Sequence, residues 1–224
     1  MGTKINEEVS CMSEGHDILK AFVDEWKRSF DPPRLKIESI WSDYLVKWLW
    51  DRYHAWFEYY VDPSKNKTRL DAAIWLNKKG KLPMDLAIEC EWGKGYTDEC
   101  NENFATGDFV KLLTMPAKAG LAIIGTPAHG KSNKKNNVAE KIIERIKKSY
   151  AENKKDNRPM GVIEVRKVNS ETLKLEQTYE CWYHNLGDDK QPIHLENLSG
   201  ITMEGIKKYL EGNPEKVETI LSWS

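Results

Sequence analysis

Two short apolar segments on either side of a polar, glycine-containing stretch constrain the fold of this chain more than any other feature. In "TRLDAAIWLNKKGKLPMDLAIECEW", residues 68–92, the polar stretch is "NKKGK" at 77–81. Apolar runs that flank a turn of this composition are typical of paired strands. The sequence therefore predicts a β-hairpin whose loop is centred near Gly80.

The second strand of this hairpin carries two carboxylates on one face. Because side chains alternate along a strand, Glu89 and Glu91 point to the same side. A loop centred on residue 80 places Asp71 opposite Glu89 and Arg69 opposite Glu91. Like charges that face each other across strands are destabilising, so either Arg69 or a bound cation must neutralise them. A register shift of one residue would move Asp71 to the other face.

A simpler interpretation of the same pattern is structural. An antiparallel strand with one face in solvent also carries polar residues on that face. The pattern alone does not decide between a solvated face and a carboxylate site.

The remaining segments predict a mixed α/β fold. Helical spacing of apolar residues predicts helices over 14–29, 39–61, 105–119, 138–154 and 202–212, with Pro116 distorting or shortening the third. Apolar runs predict further strands over 120–127, 160–168 and 175–185. We therefore expect a single domain made of a helical N-terminal segment (1–62), a core (63–128), and a basic loop, a helix and the remaining strands (129–224).

The order of these features resembles a known superfamily. Asp71, then Glu89-Cys90-Glu91 on a strand, then a helix and the buried strand "GLAIIGTP" are similar to the motif of the PD-(D/E)XK nucleases. The similarity covers about a third of the chain. Glu91 stands where most members carry lysine, although some restriction endonucleases of this fold use glutamate there. The resemblance implies a restriction-endonuclease-like fold, with a central mixed sheet flanked by helices.

The resemblance also implies roles for individual residues. Asp71, Glu89 and Glu91 would be catalytic, and Asp71, Glu89 and the backbone carbonyl of Cys90 would bind Mg²⁺, which prefers oxygen ligands. Glu91 would orient or deprotonate the attacking water, or hold a second metal ion. Metal ions held in this way generate a nucleophile and neutralise charge on the phosphate.

Two further residues are auxiliary candidates. Glu58 would add an outer carboxylate from the preceding helix, as the family often does. Lys111, on the helix that follows the glutamate strand, would supply a cation near the site. The simpler alternative for Lys111 is a solvated surface side chain.

A local excess of positive charge marks a candidate DNA-binding segment. Residues 131–158 contain ten basic and four acidic residues, whereas the whole chain has a net charge of −1. The loop "HGKSNKKNN" (129–137) offers groups that contact phosphates or bases, namely Lys131, Asn133, Lys134 and Lys135. A solvated loop and helix face is an equally good alternative.

Cysteine content and hydropathy limit the setting of the protein. The four cysteines contain no C-x-x-C pair, and no apolar run reaches 18 residues. These features favour free thiols in a reducing cytoplasm and no membrane span.

Taken with the resemblance, these observations predict a Mg²⁺-dependent endonuclease that acts on double-stranded DNA, of the type II restriction endonuclease kind. Such enzymes usually act as homodimers, because two-fold DNA sites require two-fold proteins. The tryptophans of the second helix would form either the core or the subunit interface. One alternative is a catalytically inactive nuclease-like fold that binds nucleic acid or a protein partner. Another is a carboxylate-pair glycoside hydrolase.

Overall fold

Seven strands form one mixed sheet in their order along the chain. The computed structural model describes residues 2–30, 38–61, 69–76, 81–91, 103–126, 138–154, 156–168, 178–188 and 191–197. The strands are β1 Trp56–Tyr60, β2 Arg69–Ile74, β3 Met84–Glu91, β4 Ala117–Thr126, β5 Met160–Val168, β6 Thr178–Asn185 and β7 Ile193–Asn197. The pairs β3–β4 and β4–β5 are parallel, and the other neighbouring pairs are antiparallel.

Helices cover both faces of the sheet and bury two apolar cores. The helices are α1 Gly2–Ser29, α2 Glu38–Tyr53, α3 Phe109–Thr114 and α4 Val138–Asn153, and a π-helical turn, Phe104–Asp108, leads directly into α3. Residues of α1 and α2 share one core with the sheet, and residues of the π-helical turn, α3 and α4 share the other. The protein is therefore an α/β fold with a seven-stranded mixed sheet flanked by helices. None of the helices described is long and apolar enough to cross a membrane.

The predicted hairpin and its register are confirmed. Strands β2 and β3 pair as Ala72–Ile88, Ala73–Ala87 and Ile74–Leu86, which centres the connection on residue 80. On β3, Leu86 and Ile88 pack into the core shared with α1 and α2, whereas Ala87 packs into the opposite core. Glu89 and Glu91 therefore face the side of the sheet that α3 and α4 cover.

The prediction of one helix over 39–61 is wrong at its C-terminal end, and segment 1–62 is not entirely helical. Helix α2 ends at Tyr53, and Trp56–Tyr60 form the edge strand β1. His54 has a φ of 49°, in the left-handed region that cannot continue a right-handed helix. Of the tryptophans of α2 whose side chains the structure describes, Trp48 is buried and Trp50 is 55% exposed.

The prediction of a helix over 105–119 is also too long. Helix α3 ends at Thr114, and β4 begins at Ala117, three residues earlier than expected. The Arg158 guanidinium donates hydrogen bonds to the carbonyl oxygens of Leu113, Met115 and Ala117. A cation at this position satisfies carbonyl groups that a helix C-terminus leaves unpaired.

Three of the other predicted elements are present in the structure. The helix over 138–154 and the strands over 160–168 and 175–185 are confirmed as α4, β5 and β6. Strand β7 was not predicted. The predicted helix over 202–212 lies outside the residues that the structure describes.

Candidate active site

The carboxylate of Asp71 lies at the point where β2 and β3 stop pairing. Their pairing ends at Ala72–Ile88, whereas β3 continues to pair with β4 as far as Glu91–Ile124. Just beyond the last pair, Asp71 Oδ2 accepts a hydrogen bond from the backbone N–H of Cys90 at 2.8 Å. This hydrogen bond fixes the aspartate between the two strands, beside the glutamates of β3.

Glu89 is a buried carboxyl group whose main contact is with a lysine. Its side chain is 2% exposed, and Lys111 Nζ lies 2.7 Å from Glu89 Oε1. This is ion-pair distance, but the contact lacks hydrogen-bond geometry, and Glu89 Oε1 has no hydrogen-bond donor among the described residues. The same ammonium donates a hydrogen bond to Asp108 Oδ1 at 3.1 Å. Lys111 therefore contacts two acidic groups and is not the solvated surface side chain of the simpler alternative.

Burial and neighbouring charge both change how easily Glu89 ionises. Burial, followed by the negative charge of Asp71, raises the pKa of Glu89 from its ordinary value of 4.5 to about 9, although Lys111 acts in the opposite direction. Burial also raises the pKa of Glu91, with further contributions from Asp108 and Asp71. The carboxyl groups therefore resist simultaneous ionisation, as like charges in a shared site do.

The pKa of Lys111 moves in the direction that keeps the ammonium charged. Burial opposes the charged form, but the close contacts with Glu89 and Asp108 and their negative charges outweigh it and raise the pKa. A permanently charged lysine beside acidic groups is suited to holding an anionic substrate or a negatively charged transition state.

The sequence-predicted residues separate into three groups. Asp71, Glu89, Cys90 and Glu91 lie together, and Lys111 joins them. Glu58 does not, because it is on strand β1 rather than on a helix, is 74% exposed and forms an ion pair with Arg69 at 3.5 Å. The predicted DNA-binding residues Lys131, Asn133, Lys134 and Lys135 lie outside the part of the chain that the structure describes.

The structure adds Asp108, which the sequence analysis missed. Asp108 ends the π-helical turn, and its carboxylate contacts Lys111 three residues later. The spacing of an acid and a lysine three residues apart was visible in the sequence. Only the packing of α3 on β3 shows that the pair reaches Glu89.

The oxygen atoms of this site suit a hard cation, but side chains alone would not complete its coordination. In the described part of the chain, no three His, Cys, Asp or Glu side chains are grouped closely enough to hold one metal ion. Asp71 and Glu89 supply two carboxylates, and Glu89 Oε1 is a buried oxygen without a hydrogen-bond donor. Mg²⁺ usually takes only one or two carboxylates and completes its coordination with water and substrate oxygens. Two carboxylates and the Cys90 carbonyl are compatible with this coordination preference of Mg²⁺.

No protein-family model matches this chain, and neither a curated protein nor a solved structure matches it. The chemistry of the site is therefore the basis for assigning a function.

Proposed function

We propose that the protein is a Mg²⁺-dependent endonuclease that hydrolyses phosphodiester bonds of double-stranded DNA, of the type II restriction endonuclease kind. The observation that carries this proposal is the placement of Asp71 beside the buried Glu89, with the Lys111 ammonium 2.7 Å from the glutamate. Two carboxyl groups that repel each other favour a cation. A neighbouring lysine favours an anionic substrate.

Each residue has a distinct role in this proposal. Asp71, Glu89 and the Cys90 carbonyl would hold Mg²⁺, which supplies a bound water of lowered pKa and neutralises charge on the phosphate. Glu91 would orient the attacking water or accept its proton, and its raised pKa brings it closer to the range of a general base. Lys111 would stabilise negative charge on the scissile phosphate, and Asp108 would hold Lys111 in place.

The topology supports the resemblance on which the proposal partly depends. The aspartate is on β2, the Glu-x-Glu pair is on β3, helix α3 follows, and the buried strand β4 returns parallel to β3. This is the order of elements that the motif of the PD-(D/E)XK superfamily requires. A restriction-endonuclease-like fold is therefore part of the proposal.

The quaternary state and setting belong to the same proposal. A homodimer would match the two-fold symmetry of duplex DNA. The exposed Val46 and Trp50 on α2 provide apolar surface that an interface would bury. A cytoplasmic location agrees with the two cysteines whose side chains the structure describes, Cys90 and Cys181, which are both free thiols.

One observation favours a second candidate function. The contact of Lys111 with Glu89 and the hydrogen bond from Cys90 to Asp71 partly satisfy the carboxyl groups without a metal ion. Such a site would suit a nuclease-like fold that binds nucleic acid or a protein partner without cutting. The ion pair that would most favour this alternative, Arg69 with Glu91, is not the one described, because Arg69 pairs with Glu58.

Incubation with supercoiled plasmid DNA separates the two functions. The endonuclease is expected to produce nicked or linear plasmid with Mg²⁺ and no cleavage with EDTA. Glu89→Gln, which keeps the size of the side chain but removes its negative charge, should not cleave. Cleavage in EDTA, or at an unchanged rate by Glu89→Gln, would contradict the proposal. Binding without cleavage would favour the second function.

A further inference from the structure

A second buried carboxylate on the same face of the sheet organises a compact polar cluster. Glu164 on β5 is fully buried and accepts hydrogen bonds from Thr126 Oγ1 at 2.8 Å and from Arg166 Nε at 2.8 Å and Nη2 at 3.1 Å. His184 Nε2 lies 3.0 Å from Glu164 Oε2. These four residues form the Glu164 cluster.

The geometry of the Glu164 cluster fixes the guanidinium of Arg166 in one plane. Contacts from Nε and Nη2 to both carboxylate oxygens form a two-point interaction, which has a defined orientation. The Arg166 guanidinium also lies 5.7 Å from the centre of the Trp182 ring, within the range of a cation–π contact. Its side chain is mostly buried but remains 15% exposed, so part of it reaches solvent.

The Glu164 cluster lies in line with the candidate active site. In the sheet, Glu91 on β3 is beside Ile124 on β4, which is beside Glu164 on β5. Ile124 packs into the core shared with α3 and α4, as does Val162, two residues before Glu164. Glu91 and Glu164 therefore share one face of the sheet. They lie two strand spacings apart, about 10 Å.

The position suits a ligand that extends across the sheet. Parallel strands β3, β4 and β5 all end near this line, and ligands of open α/β sheets bind outside the carboxyl ends of the strands. Thr126 is the last residue of β4, and the basic stretch 129–137 begins three residues later in the chain. Along the helix axis of duplex DNA the phosphates of one strand are spaced by about 3.4 Å, so two contacts about 10 Å apart lie within a few nucleotides of each other.

We propose that Arg166, held in place by Glu164, contacts a backbone phosphate of a nucleic acid that extends from the Asp71–Glu89 site across the ends of β4 and β5. This inference rests on the proposed function for the direction of the strand, and it assigns a DNA-contacting residue that the sequence analysis did not identify. Arginine carries five N–H donors, and Glu164 engages the Nε and Nη2 groups of Arg166, which limits the orientations of the guanidinium before a phosphate binds.

The competing explanation is that the Glu164 cluster only stabilises the sheet. A buried carboxylate requires partners, and Thr126, His184 and Arg166 supply them. A structural role and a phosphate contact differ in one measurable property. Loss of a phosphate contact lowers the dependence of DNA affinity on salt, whereas loss of an internal ion pair does not.

The test measures binding of a short fluorescein-labelled DNA duplex by anisotropy over a series of KCl concentrations, with Ca²⁺ in place of Mg²⁺. Arg166→Gln is expected to weaken binding and to lower the slope of log affinity against log salt by about 0.9. Thr126→Val is the matched control, because it removes a hydrogen bond from the same carboxylate without removing a charge, and its slope should equal that of the wild type. Circular dichroism verifies that each variant is folded.

A folded Arg166→Gln variant with an unchanged slope would overturn the proposal, and so would a wild-type protein that does not bind the duplex. If Arg166→Gln does not fold, Arg166→Lys decides the question. It keeps the charge but loses the two-point geometry, so we expect an unchanged slope and several-fold weaker binding, and wild-type affinity would count against the contact. Plasmid cleavage with Mg²⁺ is measured on the same preparations. If the wild type cleaves DNA but Arg166→Gln does not change the salt-dependence slope, the endonuclease proposal stands and the Arg166 contact is overturned. If Arg166→Gln lowers the slope but the wild type does not cleave, the Arg166 contact stands and the endonuclease proposal is overturned.

Discussion

The carboxylate of Asp71 accepts a hydrogen bond from the backbone N–H of Cys90 at 2.8 Å, across the end of the β2–β3 pairing. The aspartate therefore has a structural partner and an acidic neighbour, Glu89, at the same time. The hydrogen bond stabilises the fold, whereas the charge of Asp71 raises the pKa of Glu89 and so opposes its ionisation. The two effects can be separated by substitution, because asparagine keeps an acceptor oxygen but loses the negative charge.

Asp71→Asn and Asp71→Ala should therefore differ in stability. We expect Asp71→Asn to match or exceed the wild type in free energy of unfolding without metal, because the acceptor is kept and the charge that raises the pKa of Glu89 is removed. Asp71→Ala should be about 1 kcal/mol less stable than Asp71→Asn, because it also loses the acceptor, and about 1 kcal/mol is the net contribution of a typical hydrogen bond. Urea denaturation of the three proteins in EDTA measures these differences.

Millimolar Mg²⁺ extends the same experiment to the metal. It should raise the melting temperature of the wild type, because a ligand that binds only the folded state stabilises it. It should do much less for either variant. A wild-type melting temperature that ignores Mg²⁺, together with a less stable Asp71→Asn, would assign the aspartate a purely structural role.

The hairpin and its register were predictable because two independent features of the sequence indicate the same strand pairing. The alternation of apolar residues on both strands and the position of Gly80 lead to the same pairing, and a shift of one residue would have moved Leu86 and Ile88 to the opposite face of the sheet. The end of α2 was not predictable in the same way. Trp56 and Phe57 continue the apolar spacing of the helix, and the left-handed backbone of His54 cannot be recognised from a histidine in the sequence.

The sequence predicted the contacts of the candidate site only where neighbouring segments of the chain form them. Asp71 and Glu89 are brought together by a hairpin, which a sequence pattern can reveal. Lys111 was an auxiliary candidate from the sequence, but its contact with Glu89, like the contacts of Glu164, depends on packing between segments that are not neighbours in a hairpin. A glutamate within the apolar run "GVIEV" of β5 was a signal comparable to that of β3, but its partners Thr126 and His184 come from other strands.

Lys111→Met should reduce plasmid cleavage by about 100-fold or more, the effect of removing one preorganised group that stabilises transition-state charge. Binding of Mg²⁺ should be retained or become tighter, because the competing ammonium beside Glu89 has been removed. Gel assays of initial cleavage rates and calorimetric titration with Mg²⁺ measure the two effects. Lys20→Met, an exposed lysine on α1, is the control for loss of a positive charge. Equal losses of metal affinity and activity would show that Lys111 acts on the metal site and not on the substrate.

Replacement of Lys134 and Lys135 by alanine tests the basic segment predicted from the sequence. If both lysines contact phosphates, the salt-dependence slope of duplex binding should fall by about 1.8, or about 0.9 for each contact. Lys20→Ala with Lys27→Ala, two exposed lysines of α1 outside the basic segment, is the matched double substitution. An unchanged slope for the Lys134 and Lys135 variant, or the same loss in both variants, would mean that the segment does not bind DNA specifically.

Glu164 should contribute to the acid sensitivity of the fold. Burial alone would raise its pKa, but hydrogen bonds from His184, Arg166 and Thr126 and the charge of Arg166 outweigh burial and lower the pKa to about 2. A carboxyl group with a depressed pKa stabilises the fold at any pH above its ordinary value of 4.5. That stabilisation is lost as the pH falls from 4.5 towards 2. Glu164→Gln should be several kcal/mol less stable than the wild type at pH 7, because Arg166 loses its buried partner. The difference should shrink progressively below pH 4.5, as measured by urea denaturation, and a constant difference down to pH 2.5 would contradict this account.

Glu89 should have the opposite effect in a different pH range. Its pKa is raised to about 9 in the folded protein, chiefly by burial and by the charge of Asp71, and lies near 4.5 when the chain is unfolded. Between these values the folded state binds a proton that the unfolded state does not. The free energy of unfolding must therefore fall as the pH rises from 4.5 to 9, by at most about 1.4 kcal/mol per pH unit for one proton.

Glu89→Gln removes this proton and should flatten the decline. We expect the variant to gain stability relative to the wild type between pH 5 and pH 8.5 in EDTA, as measured by urea denaturation. Glu144→Gln, an exposed glutamate on α4, is the control and should follow the wild-type curve. Mg²⁺ should reduce the wild-type decline, because metal binding requires the ionised carboxylate and displaces the proton. If Glu89→Gln and the wild type lose stability in parallel, Glu89 is already ionised in the folded protein. The Lys111 ammonium would then be sufficient to neutralise Glu89 without a metal ion. That result would favour the second candidate function, a nuclease-like fold that binds without cutting.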